Sequence, residues 1–374
     1  MSENQRYLAL DVFRGMTVCF MIIVNSPGNW HLAYPPLLHA SWHGFTPTDL
    51  VFPSFLFAVG NALAFVMPKY EAQGSNVFWR KTLKRTFIIF LLGYLMYWFP
   101  FFQASSGGGL ELKPIAETRI LGVLQRIALC YFAASVLIYY GSRKFVIWFS
   151  VFALVIYWIL LYALGDANDP YSLTGNYGLQ LDLFFFGEKH LYHGEGIAFD
   201  PEGLLSTLPA IVNVIAGYLV GDYIRKNGSS YEAIAKLLMM GAVLILVALA
   251  WDMFFPINKK LWTSSFVLVT VGLGMVILSV LMYVIEIRKR QKWTYFFVVF
   301  GRNPLFIYLL SEVGLMLLLM LPSSENNARD WLYEDFFGSI TTPLHASFLF
   351  AFFFMLACWA VGYGLDKKKI YVKV

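Results

Sequence analysis

The chain has 374 residues, of which 59% are hydrophobic and only 14% charged, with a net charge of +5. A soluble domain is nearer a quarter charged, so this composition cannot cover a surface that faces water on all sides, and it excludes an ordinary soluble globule. Cys19, Cys130 and Cys358 lie far apart in apolar runs and supply neither a disulfide framework nor a thiolate metal site.

A membrane span needs roughly 20 mostly apolar residues. Ten segments qualify: 8–25, 48–67, 83–102, 119–140, 145–164, 204–223, 233–251, 261–285, 302–321 and 344–364. The expected fold is all-α, a polytopic transmembrane helical bundle of about ten spans, forming one domain over 1–374. The first apolar run contains Asp11 and Arg14 and no small-residue cleavage site, so it reads as a permanent span and not as a signal peptide. Residues 292–301 are aromatic and basic, and read either as an interfacial helix or as an early start to the ninth span. Twenty basic residues fall on one set of alternating loops, Lys81, Arg85 and Lys367 among them, and six on the other. That bias expects both termini in the cytoplasm. No internal repeat stands out, which tells against an inverted-repeat transporter.

Along the chain, Asp11 and Arg14 are spaced i, i+3 on one helix face and read as a structural ion pair or a substrate contact. Asn25 ends the first span, where it either terminates the helix or holds a carbonyl oxygen. The loop 26–47 carries His31, His39 and His43 with Trp30 and Trp42, and no Lys or Arg. His39 and His43 have zinc spacing, but Gly44 and Pro47 break the helix and no third ligand is placed, so no metal is expected. Thr46, Pro47 and Thr48 start the second span, with Asp49 in its first turn, where it caps the helix or orients a histidine. Trp42 reads as a sugar-stacking platform or an interfacial belt residue. Arg126, well inside the fourth span, is a functional candidate with Glu312 as its candidate partner. Loop 165–203 is the longest connection and strongly acidic, ending in Asp200 and Glu202. Arg302 and Asn303 open the ninth span as a ready anion site. The tail from Lys367 to Lys373 is either a topological anchor or a nucleotide-phosphate contact.

Seven stretches together are specific: Leu-Asp-Val-Phe-Arg-Gly at 10–15, His-Ala-Ser-Trp at 39–42, Asp-Leu-Val-Phe-Pro at 49–53, Gly-Val-Leu-Gln-Arg at 122–126, Asp-Pro-Glu-Gly at 200–203, Asn-Lys-Lys-Leu-Trp at 258–262, and the terminal Lys-Lys-Ile with Lys373. On these the sequence, from about residue 8 to the end, resembles the heparan-α-glucosaminide N-acetyltransferase family, in particular its short bacterial members. The resemblance implies a multi-pass enzyme of the bacterial cytoplasmic membrane. It would pass the acetyl group of cytoplasmic acetyl-CoA to the amine of glucosamine, or of a terminal glucosaminide, at the outer side. His39 matches the family's proposed active histidine, and Asn25 an asparagine at the end of the same span. Asp49 would orient His39. Arg302, Asn303, Lys368 and Lys373 would hold the nucleotide, with Arg126 deeper in the membrane. Trp42, His43, Asp11, Arg14 and Glu202 would contact the sugar, and loops 26–47 and 165–203 would frame the acceptor site.

Two mechanisms stay open: His39 takes the acetyl group itself, or it acts as general base in a ternary complex, with Asn25 polarising the acetyl carbonyl in either case. The sequence departs from the lysosomal member at His43, where that enzyme has asparagine, and in a longer Asn25–His39 loop, which favours a free amino sugar as acceptor. The rival readings are a transporter for an amino sugar such as N-acetylglucosamine, which the buried Asp11, Arg14, Arg126 and Glu312 also suit, and O-acetylation of a surface glycan. The expected partners are acetyl-CoA, an amino sugar and the lipid bilayer. No nucleic acid is expected, and a homodimer is left open.

Overall fold

The computed structural model describes residues 7–104, 109–323 and 327–372. Four helices form the first half of the bundle: α1 (Leu8–Asn25), α2 (Val51–Gln73), α3 (Ser75–Trp98) and α4 (Val123–Tyr140). They are followed by α5 (Arg143–Leu164), the short α6 (Tyr177–Phe186), α7 (Thr207–Asn227), α8 (Tyr231–Asp252) and α9 (Ser264–Met282). Then come α10 (Thr294–Arg302), α11 (Pro304–Met320), the short α12 (Ala328–Asp330) and α13 (Pro343–Lys367). A small antiparallel hairpin, β1 (Phe102–Ala104) with β2 (Leu110–Leu112), sits between α3 and α4.

Eight of these helices are long and apolar enough to cross a membrane, and α10 with α11 is so only when taken together, as a pair bent by 83°. Helix α3 falls outside that set because Arg80, Lys81, Lys84 and Arg85 occupy its first half. Packing nevertheless carries it through the bundle antiparallel to α4. Trp79 Nε1 donates to Tyr140 Oη at one end (2.8 Å), and Tyr97 packs on Gly122 at the other. Among the described residues the apolar crossings number eight, or nine with the bent pair, against the ten expected, and α3 is a further long helix packed on α4. It begins eight residues earlier than its apolar run, because Gly74, at φ +85°, ends α2 and starts α3 within one residue. The 292–301 segment is a separate helix: the chain breaks at Asn303, so α10 crosses α11 and does not extend it.

Small residues let the central helices approach closely, the usual solution where lipid gives no hydrophobic drive between helices. A Cβ at Gly60 of α2 would stand 1.9 Å from Val214 O of α7, and one at Gly217 of α7 would stand 2.0 Å from Phe57 O of α2. Gly15 makes the same fit of α1 on α10, 1.8 Å from Phe297 O. Helix α7 is the most central, with 72% of its apolar window buried, against 28% for α5, α8 and α13, whose Trp148, Phe152 and Leu246 are left to lipid.

Both described chain ends lie on one face. Ala9 N donates to Glu286 Oε1 beyond α9 (3.2 Å), and Asp366 near the end of α13 meets Tyr295 and Arg302 of α10. The opposite face joins the end of α1 to the start of α13 through Gly28 N and Ser347 O (3.1 Å). The first is termed here the terminal face and the second the histidine face.

Candidate active site

The histidine face is organised around Asp49, whose side chain is only 1% exposed. Pro47–Leu50 forms a 3₁₀ turn at the head of α2, and Thr46 with Asp49 makes a capping box. Asp49 Oδ2 accepts from Thr46 N (2.9 Å), Thr46 Oγ1 (3.0 Å) and Ala40 N (3.2 Å), while Oδ1 lies 2.7 Å from His39 Nδ1. Both expected roles of Asp49 are therefore filled by one side chain. An ionised carboxylate only accepts, so Nδ1 carries the proton and His39 Nε2 presents a lone pair. Burial lowers the His39 pKa below its ordinary 6.5; the bond to Asp49 opposes this and the Lys259 cation adds to it. The ring is thus neutral at pH 7 and suited to act as base or nucleophile.

A loop distant in sequence completes this site. Lys259 Nζ lies beside both ring nitrogens of His39, 3.0 Å from Nε2 and 3.1 Å from Nδ1. Its neighbours each hold another part: Asn258 Nδ2 faces His43 Nδ1 (3.3 Å), and Lys260 Nζ donates to Ser41 O (2.8 Å) and Glu195 Oε2 (2.5 Å). Leu261 O accepts from Tyr157 Oη, and Trp262 Nε1 donates to Asn213 Oδ1 (3.0 Å). Five consecutive residues thus tie loop 26–47, loop 165–203, α5 and α7 together. Trp262 holds a left-handed backbone at φ +54°, rare for a bulky residue and consistent with a locally enforced geometry.

Several expected sugar contacts are engaged elsewhere. Glu202 Oε2 pairs with Arg119 NH2 (2.6 Å), and the same guanidinium binds both oxygens of Asp200 and lies between the rings of Tyr97 and Tyr192. Burial pushes the Glu202 carboxyl up, but Arg119, Arg126 and Lys259 outweigh it and hold it below its usual value. Trp42 is built into the loop wall: Nε1 donates to Tyr171 O (2.8 Å), its ring meets Phe199 edge-on, and the Lys260 ammonium lies 5.8 Å from its centre. His43 turns to Asn258 as described.

Arg126 departs from expectation. It does not meet Glu312; its NH2 donates to Gly203 O (3.1 Å) and Ser206 Oγ, and its guanidinium lies over Trp262. Helix α4 turns it toward the start of α7, away from α11, and it is 1% exposed. Glu312 instead accepts from Asn25 Nδ2 (3.3 Å). The amide nitrogen of Asn25 is therefore directed at a carboxylate, and Asn25 and His39 share no hydrogen bond among the described residues.

On the terminal face a cavity of about 340 Å³ is lined by Arg14, Arg85 and Arg302, with an apolar wall of Phe55, Leu124, Ile127 and Leu305. Asp11 and Arg14 form the expected pair (2.9 Å), but Arg14 lines this cavity, on the face opposite His39. Arg302 pairs with Asp366 (2.5 Å). Arg85 lies over the Tyr131 ring and meets no carboxylate among the described residues. Asn303 does not face the cavity as a free amide: it binds Ile370 O (3.0 Å) and Val372 N (2.8 Å), which folds the tail over the mouth so that Val372 joins the lining. Lys368 is exposed at the end of α13, and Lys373 lies outside the described residues.

Phe55, Leu124, Ile127 and Leu305 also line a smaller void deeper in the bundle, with Met21, Phe52 and Tyr308. Tyr308 in turn lies within electrostatic reach of Glu312, Tyr97 and Glu202. The arginine cavity and this void thus share one apolar wall. Arg85, Arg119 and Lys259 enter the two sites without having been singled out from sequence. For Lys259 the signal was present, since Asn-Lys-Lys-Leu-Trp at 258–262 is one of the distinctive stretches. For Arg85 and Arg119 no local pattern distinguishes them from topological charges.

Residues 6–245 match the family model described as heparan-alpha-glucosaminide N-acetyltransferase, catalytic. The whole chain is 25% identical to the Mus musculus heparan-alpha-glucosaminide N-acetyltransferase, covering 61% of that protein. Over 82% of its length it is 26% identical to the Homo sapiens protein of the same name, covering 53% of it. The chain thus spans somewhat more than half the length of these curated relatives.

Proposed function

The chain belongs to the heparan-alpha-glucosaminide N-acetyltransferase family, and from that premise we propose that it moves an acetyl group from acetyl-CoA at the terminal face to an amine at the histidine face. The observation that carries this reading is the pairing of two unlike sites on opposite faces of one bundle: a cavity lined by three arginines, and a neutral histidine held by a buried aspartate. Arginine cavities suit phosphate groups, which guanidinium binds by paired, charge-assisted hydrogen bonds. The nucleotide end of acetyl-CoA would remain there, and the thin pantetheine arm would lie along the apolar wall of Phe55 and Leu305. With the terminal face in the cytoplasm, as the loop charges favour, the donor is cytosolic and the acceptor lies outside. The acceptor is glucosamine or a terminal glucosaminide, and the membrane is a bacterial cytoplasmic membrane.

At the histidine face, His39 Nε2 removes the proton of the attacking amine, or itself attacks the acetyl carbon and passes the group on. Asp49 holds the ring and stabilises the imidazolium that either route forms. The test is purified protein in detergent with acetyl-labelled acetyl-CoA, with and without glucosamine. Labelled N-acetylglucosamine supports the reading, and label on the protein before sugar is added selects the acetyl-histidine route. No transfer, with amino-sugar uptake in proteoliposomes, would replace the reading with a transporter.

A further inference from the structure

Asn25 was the expected donor to the acetyl oxygen, but its amide nitrogen points at Glu312. Beside His39 stands Lys259 instead, its Nζ 3.0 Å from Nε2 and 3.1 Å from Nδ1. Resting on the acetyltransferase reading, we infer that Lys259 is a catalytic residue, the cation that stabilises the oxyanion of acetyl transfer and covers the base until the donor arrives.

The geometry gives the ammonium a reason to be there. Asp49 Oδ1 takes the Nδ1 proton of His39, so Nε2 is left as an acceptor, and the Lys259 ammonium stands beside both ring nitrogens, 3.0 Å from Nε2 and 3.1 Å from Nδ1. Lys259 comes from a loop whose flanking residues, Asn258 and Lys260, are anchored to His43, Ser41 and Glu195, so its placement follows from the scaffold. Among the described residues it forms no salt bridge; burial lowers its pKa, Lys260 adds to this, and Asp49, Glu202 and Glu195 oppose it. The charged groups acting on His39 are Asp49, Lys259 and Lys260.

The step balances without any further reactant. A neutral amine bonds to the acetyl carbon as the carbonyl π pair moves onto oxygen. Lys259 turns from the ring and donates to that oxygen, freeing His39 Nε2 to take one proton from the nitrogen. The carbonyl re-forms as the carbon–sulfur bond breaks, and the proton on His39 passes to the departing thiolate.

The test is kcat, KM and the pH profile of Lys259→Met and Lys259→Arg in the labelled-acetyl assay, with acetyl-CoA affinity by calorimetry as the check on folding. Loss of an oxyanion donor lowers kcat by about 10²–10³-fold. Lys259→Met should show that loss with acetyl-CoA affinity retained, and Lys259→Arg should recover part of it. Removing the cation from beside His39 should also move the acid limb of kcat/KM in Lys259→Met to higher pH. Wild-type kcat in Lys259→Met overturns the inference, as does a loss with an unmoved acid limb and no recovery by arginine. A wild-type protein that transfers no acetyl group overturns the acetyltransferase reading itself.

Discussion

The two faces handle charge in opposite ways. On the histidine face the charges around the site stand beside opposite ones: Asp49 acts on Lys259, Arg119 pairs with Asp200 and Glu202, and Lys260 with Glu195. On the terminal face three arginines line one cavity with Asp11 and Asp366 as their carboxylates, and Arg85 has none among the described residues. A balanced network in a water-poor site fixes side-chain geometry and tunes proton affinity, which is what chemistry requires. An unbalanced cluster leaves a standing positive potential, which is what capture of a polyanion requires. The division of labour follows from that contrast, and each prediction sharpens or breaks it.

The largest effect falls on the balanced side. His39→Ala should lower acetyl transfer by about 10²–10⁴-fold, the range for a lost general base or nucleophile, with acetyl-CoA affinity unchanged by calorimetry. Loss of both together would merge the two sites into one. Asp49→Asn keeps the shape but can donate where the carboxylate accepts, so it favours the wrong tautomer of His39. On the order of 10²-fold loss in kcat is expected in the same assay. A near-wild-type rate would reduce Asp49 to its capping role.

On the unbalanced side, Arg85→Met should raise the Kd for acetyl-CoA about tenfold or more, as for a charge-assisted contact of about 1.5–3 kcal/mol, with kcat at saturation unchanged. An unchanged Kd would remove the phosphate role from this cavity. The smallest effect is in pH. Because the folded-state pKa of His39 is lowered, the neutral ring persists through pH 7 and is lost only as pH falls through that lowered value. The acid-side inflection of kcat/KM should therefore lie below 6.5; one above it would mean that the charged form is the working one.

Most of the fold was legible in the sequence because each span is written locally, in a run of apolar residues long enough to cross lipid. The bend between α10 and α11 was left open because aromatic and basic residues suit either geometry. Within the site, legibility followed distance along the chain. His39 and Asp49 are ten residues apart in one loop and helix start, and their pairing could be anticipated. Arg126 and Glu312 are far apart, and matching lone buried charges by sign alone gave the wrong pair: Gly203 and Ser206 take one nitrogen of the arginine with uncharged groups, and Asn25 meets the glutamate. Lys259 reads locally as a solvated charge, and only the fold brings it to His39, 220 residues away.

The central claim is that the acetyl group crosses the bundle between two sites that face different compartments. Sealed vesicles carrying the protein in one known orientation, with acetyl-labelled acetyl-CoA added only on the terminal face and glucosamine only on the histidine face, test it most directly. Labelled N-acetylglucosamine should appear on the glucosamine side, and reversing the two additions should abolish it. Product formed only when both compounds share one compartment would contradict the account.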